Sequence, residues 1–129
     1  MARRLISSGG PWEGTVGYSR AVVVDDTCTV AGTTDAGPDG RSAHPGDAGA
    51  QARAVFAIIG AALAEAGFGF DDVTRTRMFV TDIAFAPDVL AAHGEVFHDI
   101  RPAATIVAVT ALLDPTLLVE IEVDARKSG

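Results

Sequence analysis

The stretch DAGAQARAVFAIIGAALAEAGFGFDDVTRTRMFV, Asp47 to Val80, changes its hydrophobic period part-way along. Val55, Ile58, Ile59, Ala62, Leu63 and Ala66 recur at steps of three and four, which predicts a helix with one apolar face. Asp47 can accept from the free N–H groups of the first turn, and Gly67 can take the left-handed conformation that stops the helix. A turn is expected from Phe68 to Asp72. Beyond it the period falls to two: Thr74, Thr76, Met78 and Val80 alternate with Val73, Arg75, Arg77 and Phe79, as in a strand.

The other elements are placed outward from this unit. Upstream, Arg3 to Ser7 reads as a short strand and Ser8 to Gly17 as a Gly/Pro loop. Tyr18 to Asp25 and Thr27 to Thr33 are β-rich runs around Asp25-Asp26, a hairpin with a tight turn. Thr34 to Gly46, TDAGPDGRSAHPG, is a loop. Downstream, Pro87 suits the first turn of a second helix ending near Ile100. Its apolar face is Val89, Leu90, His93, Val96 or Phe97, and Ile100. Strands follow at Ala104 to Leu112 and Leu117 to Ala125, joined by a turn at Asp114-Pro115. No repeat or linker divides residues 1–129, so a single domain is expected.

The order β-β-β-α-β-α-β-β predicts an α+β fold, a six-stranded sheet with two helices on one face. One helix layer leaves the other face of the sheet uncovered. The runs AVVV, IVAV and LLVEIEV are apolar on both sides, so that face is expected to be buried against copies of the same chain.

Composition narrows the function. The chain has 129 residues, 48% hydrophobic and 21% charged, as suits a globular domain. No apolar run approaches the roughly 20 residues of a membrane span, and MARRL lacks the apolar core of a secretory signal, so cytoplasm is the expected location. The net charge of −7 disfavours nucleic acid as a general partner, while the arginines leave room for a local basic pocket. Cys28, the single cysteine, sits in an apolar run and reads as a small buried hydrophobe. No phosphate-binding loop, GxGxxG or GxSxG is present, and nothing in the sequence context suggests a Ser-His-Asp set.

Glu120 and Glu122 in LVEIEVDA fall on one face of a strand, about 7 Å apart. If half-buried, at least one pKa should rise, which suits a general acid/base. A solvated strand edge is the bland alternative. Arg75 and Arg77 share a face too, and pairing across strands with Glu120 and Glu122 is a more ordinary role for them than holding an anion. His44, His93 and His98 do not form a metal set, and His93 reads as packing. Tyr18 stands where a Gly-rich loop meets a strand, where it can serve a ligand or the core equally well.

With GYSRAV at 17–22, VAGTT at 30–34, AGFGFDDVTRTRMFVTDI at 66–83, IRPAATIVAV at 100–109 and VEIEVDA at 119–125, the chain resembles the Rid (YjgF-type, reactive intermediate deaminase, or L-PSP) family over nearly its whole length. The resemblance implies a chorismate-mutase-like fold, a homotrimer with ligand clefts between subunits, and hydrolysis of reactive enamines and imines without metal or organic cofactor. It implies Glu120 and Tyr18 as catalytic residues, with Trp12, Gly32, Thr33, Ala104 and Ile106 as substrate-binding positions. Glu120 matches the glutamate that orients or activates water. Gly32 matches the glycine of a Ser-Gly turn, with Ala31 in place of the serine. The family's deaminase branch grips the substrate carboxylate with an arginine in a P-A-R-S-C-V pattern. Here Pro102-Ala103-Ala104-Thr105-Ile106-Val107 puts Ala104 at the arginine and Ile106 at the cysteine. Alanine cannot bind a carboxylate, and Arg101 lies before the proline. The expectation is therefore a small metabolite, a non-carboxylate imine, enamine or carbonyl compound. 2-iminobutanoate/2-iminopropanoate deaminase activity and a non-catalytic ligand-binding trimer are the alternatives.

Overall fold

The computed structural model describes residues 3–128. Met1, Ala2 and Gly129, the first two of which belong to the MARRL stretch, lie outside the described residues. Six strands and two principal helices follow in the expected order: β1 (Arg3–Ile6), β2 (Ala21–Val24), β3 (Thr27–Thr33), α1 (Ala48–Ala66), β4 (Val73–Val80), α2 (Ala86–Phe97), β5 (Ala103–Ala108) and β6 (Val119–Arg126). They form one mixed sheet in the order β1-β2-β3-β6-β4-β5. Only β4 and β5 run parallel, with α2 as their crossover; the other neighbours are antiparallel.

Local chemistry explains the α1 boundaries. The Asp47 carboxylate accepts from the Ala50 N–H at 3.0 Å. Gly67 takes φ 86°, and its N–H returns to the last turn. The Arg4 guanidinium adds a hydrogen bond to the Ala66 carbonyl at 2.7 Å, tying β1 to the helix end. Val55, Ile59 and Leu63 have no exposed surface and pack with Val30, Met78, Ile121 and Val123 on one face of the sheet. α1 is long and apolar enough to cross a membrane, contrary to the expectation that no stretch comes near that length; half of it is buried inside the fold.

Several boundaries and faces differ from expectation for identifiable reasons. The Ser8–Gly17 loop closes into one wide helical turn at Glu13–Gly17, with the Tyr18 N–H on the Glu13 carbonyl at 3.0 Å. β5 ends at Ala108 rather than Leu112, because its partner β4 ends at Val80. A register shift in β4 between Val73 and Arg75 leaves Val73 buried and Thr74 exposed, reversing the alternation there. Leu90 is exposed, and Ala92 takes its place in the packed face of α2.

His93 is a packing residue. Its ring meets Phe56 and Phe97, and Nε2 lies 2.9 Å from the Thr76 hydroxyl. Burial depresses its pKa. Cys28 is buried, and burial raises its thiol pKa.

Candidate functional site

The second face of the sheet carries the charged strand residues. β6 presents Glu120, Glu122 and Asp124 there, and β4 presents Arg75, Arg77 and Phe79. Arg77 pairs with Asp124 at 3.2 Å and Glu122 at 3.5 Å, a cross-strand arrangement on a half-exposed surface. The expected pairing thus reaches Glu122 but leaves Glu120 out.

Glu120 faces a cavity of about 430 Å³ at the end of the sheet. Its floor is made by a bulge. Between Val30 and Thr33, β3 advances three residues while β6 advances two, from Val123 to Ile121. Such an insertion bends a strand and re-aims its side chains. The Glu120 carboxylate lies over the Cα of Gly32, where any Cβ would collide with Oε2. Glycine is needed there for close approach. Burial raises the Glu120 pKa most; Arg20 opposes this and Glu122 adds to it.

Arg20 lines the same cavity at the entrance to β2. It donates to the Gly32 carbonyl at 2.7 Å, and its guanidinium carbon lies 5.9 Å from the Tyr18 ring centroid. Thus Arg20 and Glu120 converge on one residue, Gly32, from two strands that do not adjoin. The arginine gave no local sequence signal beyond being one of the chain's cations. A periodicity argument places Arg20 opposite Ala21 but says nothing of what it reaches.

The walls are loops held by buried polar side chains. Glu13, almost fully buried, accepts from the Ser8 N–H and hydroxyl and from the Gly10 N–H, which fixes the wall carrying Trp12. These hydrogen bonds outweigh burial and lower its pKa. Gln51, fully buried in the first turn of α1, donates to the His44 and Thr116 carbonyls and accepts from the Leu118 N–H. It thereby stitches the 34–46 loop to the 114–118 turn. Neither Glu13 nor Gln51 stands out in the sequence, because each acts through residues distant from its own pattern.

Asp35, Ser42 and His44 do come together, although the sequence suggested no such set. Ser42 Oγ donates to Asp35 Oδ2 at 2.8 Å, and His44 Nδ1 lies 3.1 Å from the same oxygen. The histidine does not stand between serine and aspartate, and Ser42 is buried, so the cluster braces the loop and does not make a nucleophile. No group of three His, Cys, Asp or Glu that could hold a metal occurs among the described residues.

Of the residues expected at the site, Trp12, Tyr18, Gly32 and Glu120 line this cavity. Thr33 does not: it is fully buried, its hydroxyl is turned to the Ala31 carbonyl, and Thr34 takes the wall position. Ala104 and Ile106 are also absent from the lining. Their register partners on β4 are Thr76 and Met78, on the helix-covered face, whereas Glu120 pairs with Phe79 on the other face. Within one chain these positions cannot share a ligand.

The Endoribonuclease L-PSP family profile matches residues 12–127. The chain is 37% identical over 128 residues to SCO2049 of Streptomyces coelicolor, covering 99% of this chain and 95% of that protein. It is 32% identical over 121 residues to the 3-aminoacrylate deaminase RutC of Acinetobacter baylyi, covering 94% and 95%. The crystal structure of Rv2704 from Mycobacterium tuberculosis, a member of the YjgF/YER057c/UK114 family, superposes with a TM-score of 0.88 at 44% identity, covering 98% of this chain and all of that one. Sequence and fold agree over nearly the full length, and the chain belongs to the L-PSP, or Rid/YjgF, family.

Proposed function

We propose that the chain, as a single domain, assembles into a homotrimer that binds a small metabolite beside Glu120 and hydrolyses its imine or enamine nitrogen. The observation that carries this reading is the half-buried Glu120 carboxyl, aimed into a cavity over the Gly32 bulge with its pKa raised by burial. A carboxyl shifted toward neutrality can work in both directions. As carboxylate it takes a proton from water attacking the C=N carbon and as acid returns it to the nitrogen, giving a carbinolamine; a second such relay moves the carbinolamine hydroxyl proton to the nitrogen, so that the C–N bond breaks as the C=O bond forms. Water and an imine thus become a carbonyl compound and ammonia. Tyr18 stands at the cavity wall as an orienting group. A net charge of −7 and histidines that do not gather at the cavity favour a small molecule over RNA.

The trimer is supported by family membership and by register. Ala104 and Ile106 lie on the opposite face from Glu120, so only a neighbouring copy could bring them to its cavity. Such a cleft joins both halves of the expected site.

The test is hydrolysis of imines generated in situ, 2-iminopropanoate among them, followed as ammonia release above the spontaneous rate. Glu120→Gln should lower the catalysed rate by about 10²–10⁴-fold. An unchanged rate would leave Glu120 structural and favour a non-catalytic binding trimer.

A further inference from the structure

We infer that Arg20 is an anion anchor, making the cavity a site for small carboxylates despite alanine at position 104. This deepens the proposal above and rests on the same cavity being the ligand site.

Three observations point to it. First, the guanidinium is placed: Gly32 accepts from one terminal nitrogen at 2.7 Å, and the Tyr18 ring lies 5.9 Å away, within range of a cation–π contact. A side chain fixed at two points loses less freedom when a ligand binds. Second, its charge is unmatched. Arg53, Arg77 and Arg126 each have a carboxylate within ion-pair distance, but Arg20 has none among the described residues. Its Nε is sealed from solvent without a hydrogen-bond partner among the described residues. A partly desolvated cation of this kind is ordinarily compensated by an anion. Third, of the two acids lining the same cavity, Asp114 is already engaged by the Thr116 N–H and hydroxyl, and Glu120 has its charge disfavoured by burial. Arg20 is the only cationic side chain in that lining among the described residues.

The consequence is a different layout from an arginine on β5. At position 104 the cation would come from the covered face, and so from another copy. Arg20 belongs to the chain that supplies Glu120, and both converge on Gly32. The neutral ligand expected from Ala104 took one arginine position into account; Arg20 restores the preference for an anion from the entrance to β2.

Equilibrium binding tests this without any turnover. 2-Methylpropanoate and its neutral isostere 2-methylpropanamide are titrated into the wild-type protein by calorimetry or NMR. The acid should bind roughly 10–100-fold more tightly than the amide, the range for hydrogen bonds to a charged group. Arg20→Gln should abolish that preference, Arg20→Lys should retain part of it, and Arg126→Gln, at an exposed arginine outside the cavity lining, should keep it. Native circular dichroism and an unchanged oligomeric state qualify each variant. Equal affinity for acid and amide in the wild type, or a preference that survives Arg20→Gln, would overturn the assignment. An acid preference that depends on Arg20 in a protein that hydrolyses no imine would uphold the anchor and remove the hydrolase reading.

Discussion

The pKa values of Glu120 and Glu13 are displaced in opposite directions from the ordinary glutamate range, and both residues line or brace the same cavity. Hydrogen bonds from Ser8 and Gly10 hold the Glu13 carboxyl below its usual range, so its stabilisation is present above that range and is lost as pH falls. Burial holds Glu120 above its usual range. Folded Glu120 binds its proton more tightly than unfolded, so from the ordinary glutamate range upward its contribution makes stability fall as pH rises. Glu120→Gln removes that penalty at little change in shape. Its melting temperature is therefore expected to exceed the wild-type value at pH 7 and to converge with it near pH 4. Thermal melts of both proteins across this range check the difference, in which Glu13 cancels. A wild type more stable than Glu120→Gln at pH 7 would mean that the carboxylate is held by interactions stronger than its burial. Glu120 was legible in the sequence because glutamates facing one way in an apolar strand need a reason. Arg20 was not, since its role depends on a carbonyl from the neighbouring strand and an acid from a third.

Helix α1 shows how element-scale signals succeed. Asp47 and Gly67 act through groups within a few residues, so the sequence placed both caps correctly. Asp47→Ala should cost about 1 kcal/mol, the usual value for losing a capping side chain, and urea denaturation should show the midpoint falling without a change in slope. No change would mean that packing of the first turn, through Gln51, holds the helix start unaided. The strands were harder. Alternation correctly put Thr76, Met78 and Val80 on one face and Arg75, Arg77 and Phe79 on the other, and the structure makes the first of these the core face. It failed at Val73 and Thr74, because the register shift there depends on the partner strand. A bulge has no period of its own to read.

At the scale of the molecule, the sheet is covered on one face and carries Leu5, Val24 and Val107 exposed on the other. Val107 is 41% exposed on the edge strand β5, beside Phe79 in register. Burying such side chains between copies is favourable at about 25 cal/mol per Å² of apolar surface. The expected state is a trimer, measured by light scattering or sedimentation. Val107→Asp should shift the population toward monomer at micromolar concentration, while circular dichroism keeps the native signature. A monomeric wild type would remove the inter-subunit cleft and leave Ala104 and Ile106 without a part in the site.

The sequence by itself determined the order of elements, the caps of α1, the family and the acid at position 120. These rest on periodicity, on contacts a few residues long, and on motifs in order. Only the tertiary structure decided that Gly32 must be glycine for Glu120 to lie above it, that Arg20 faces the same cavity, and that Ala104 lies on the opposite side of the sheet. Each of those follows from strand pairing and a bulge, and pairing joins residues by hydrogen bonds across the sheet whatever their separation along the chain.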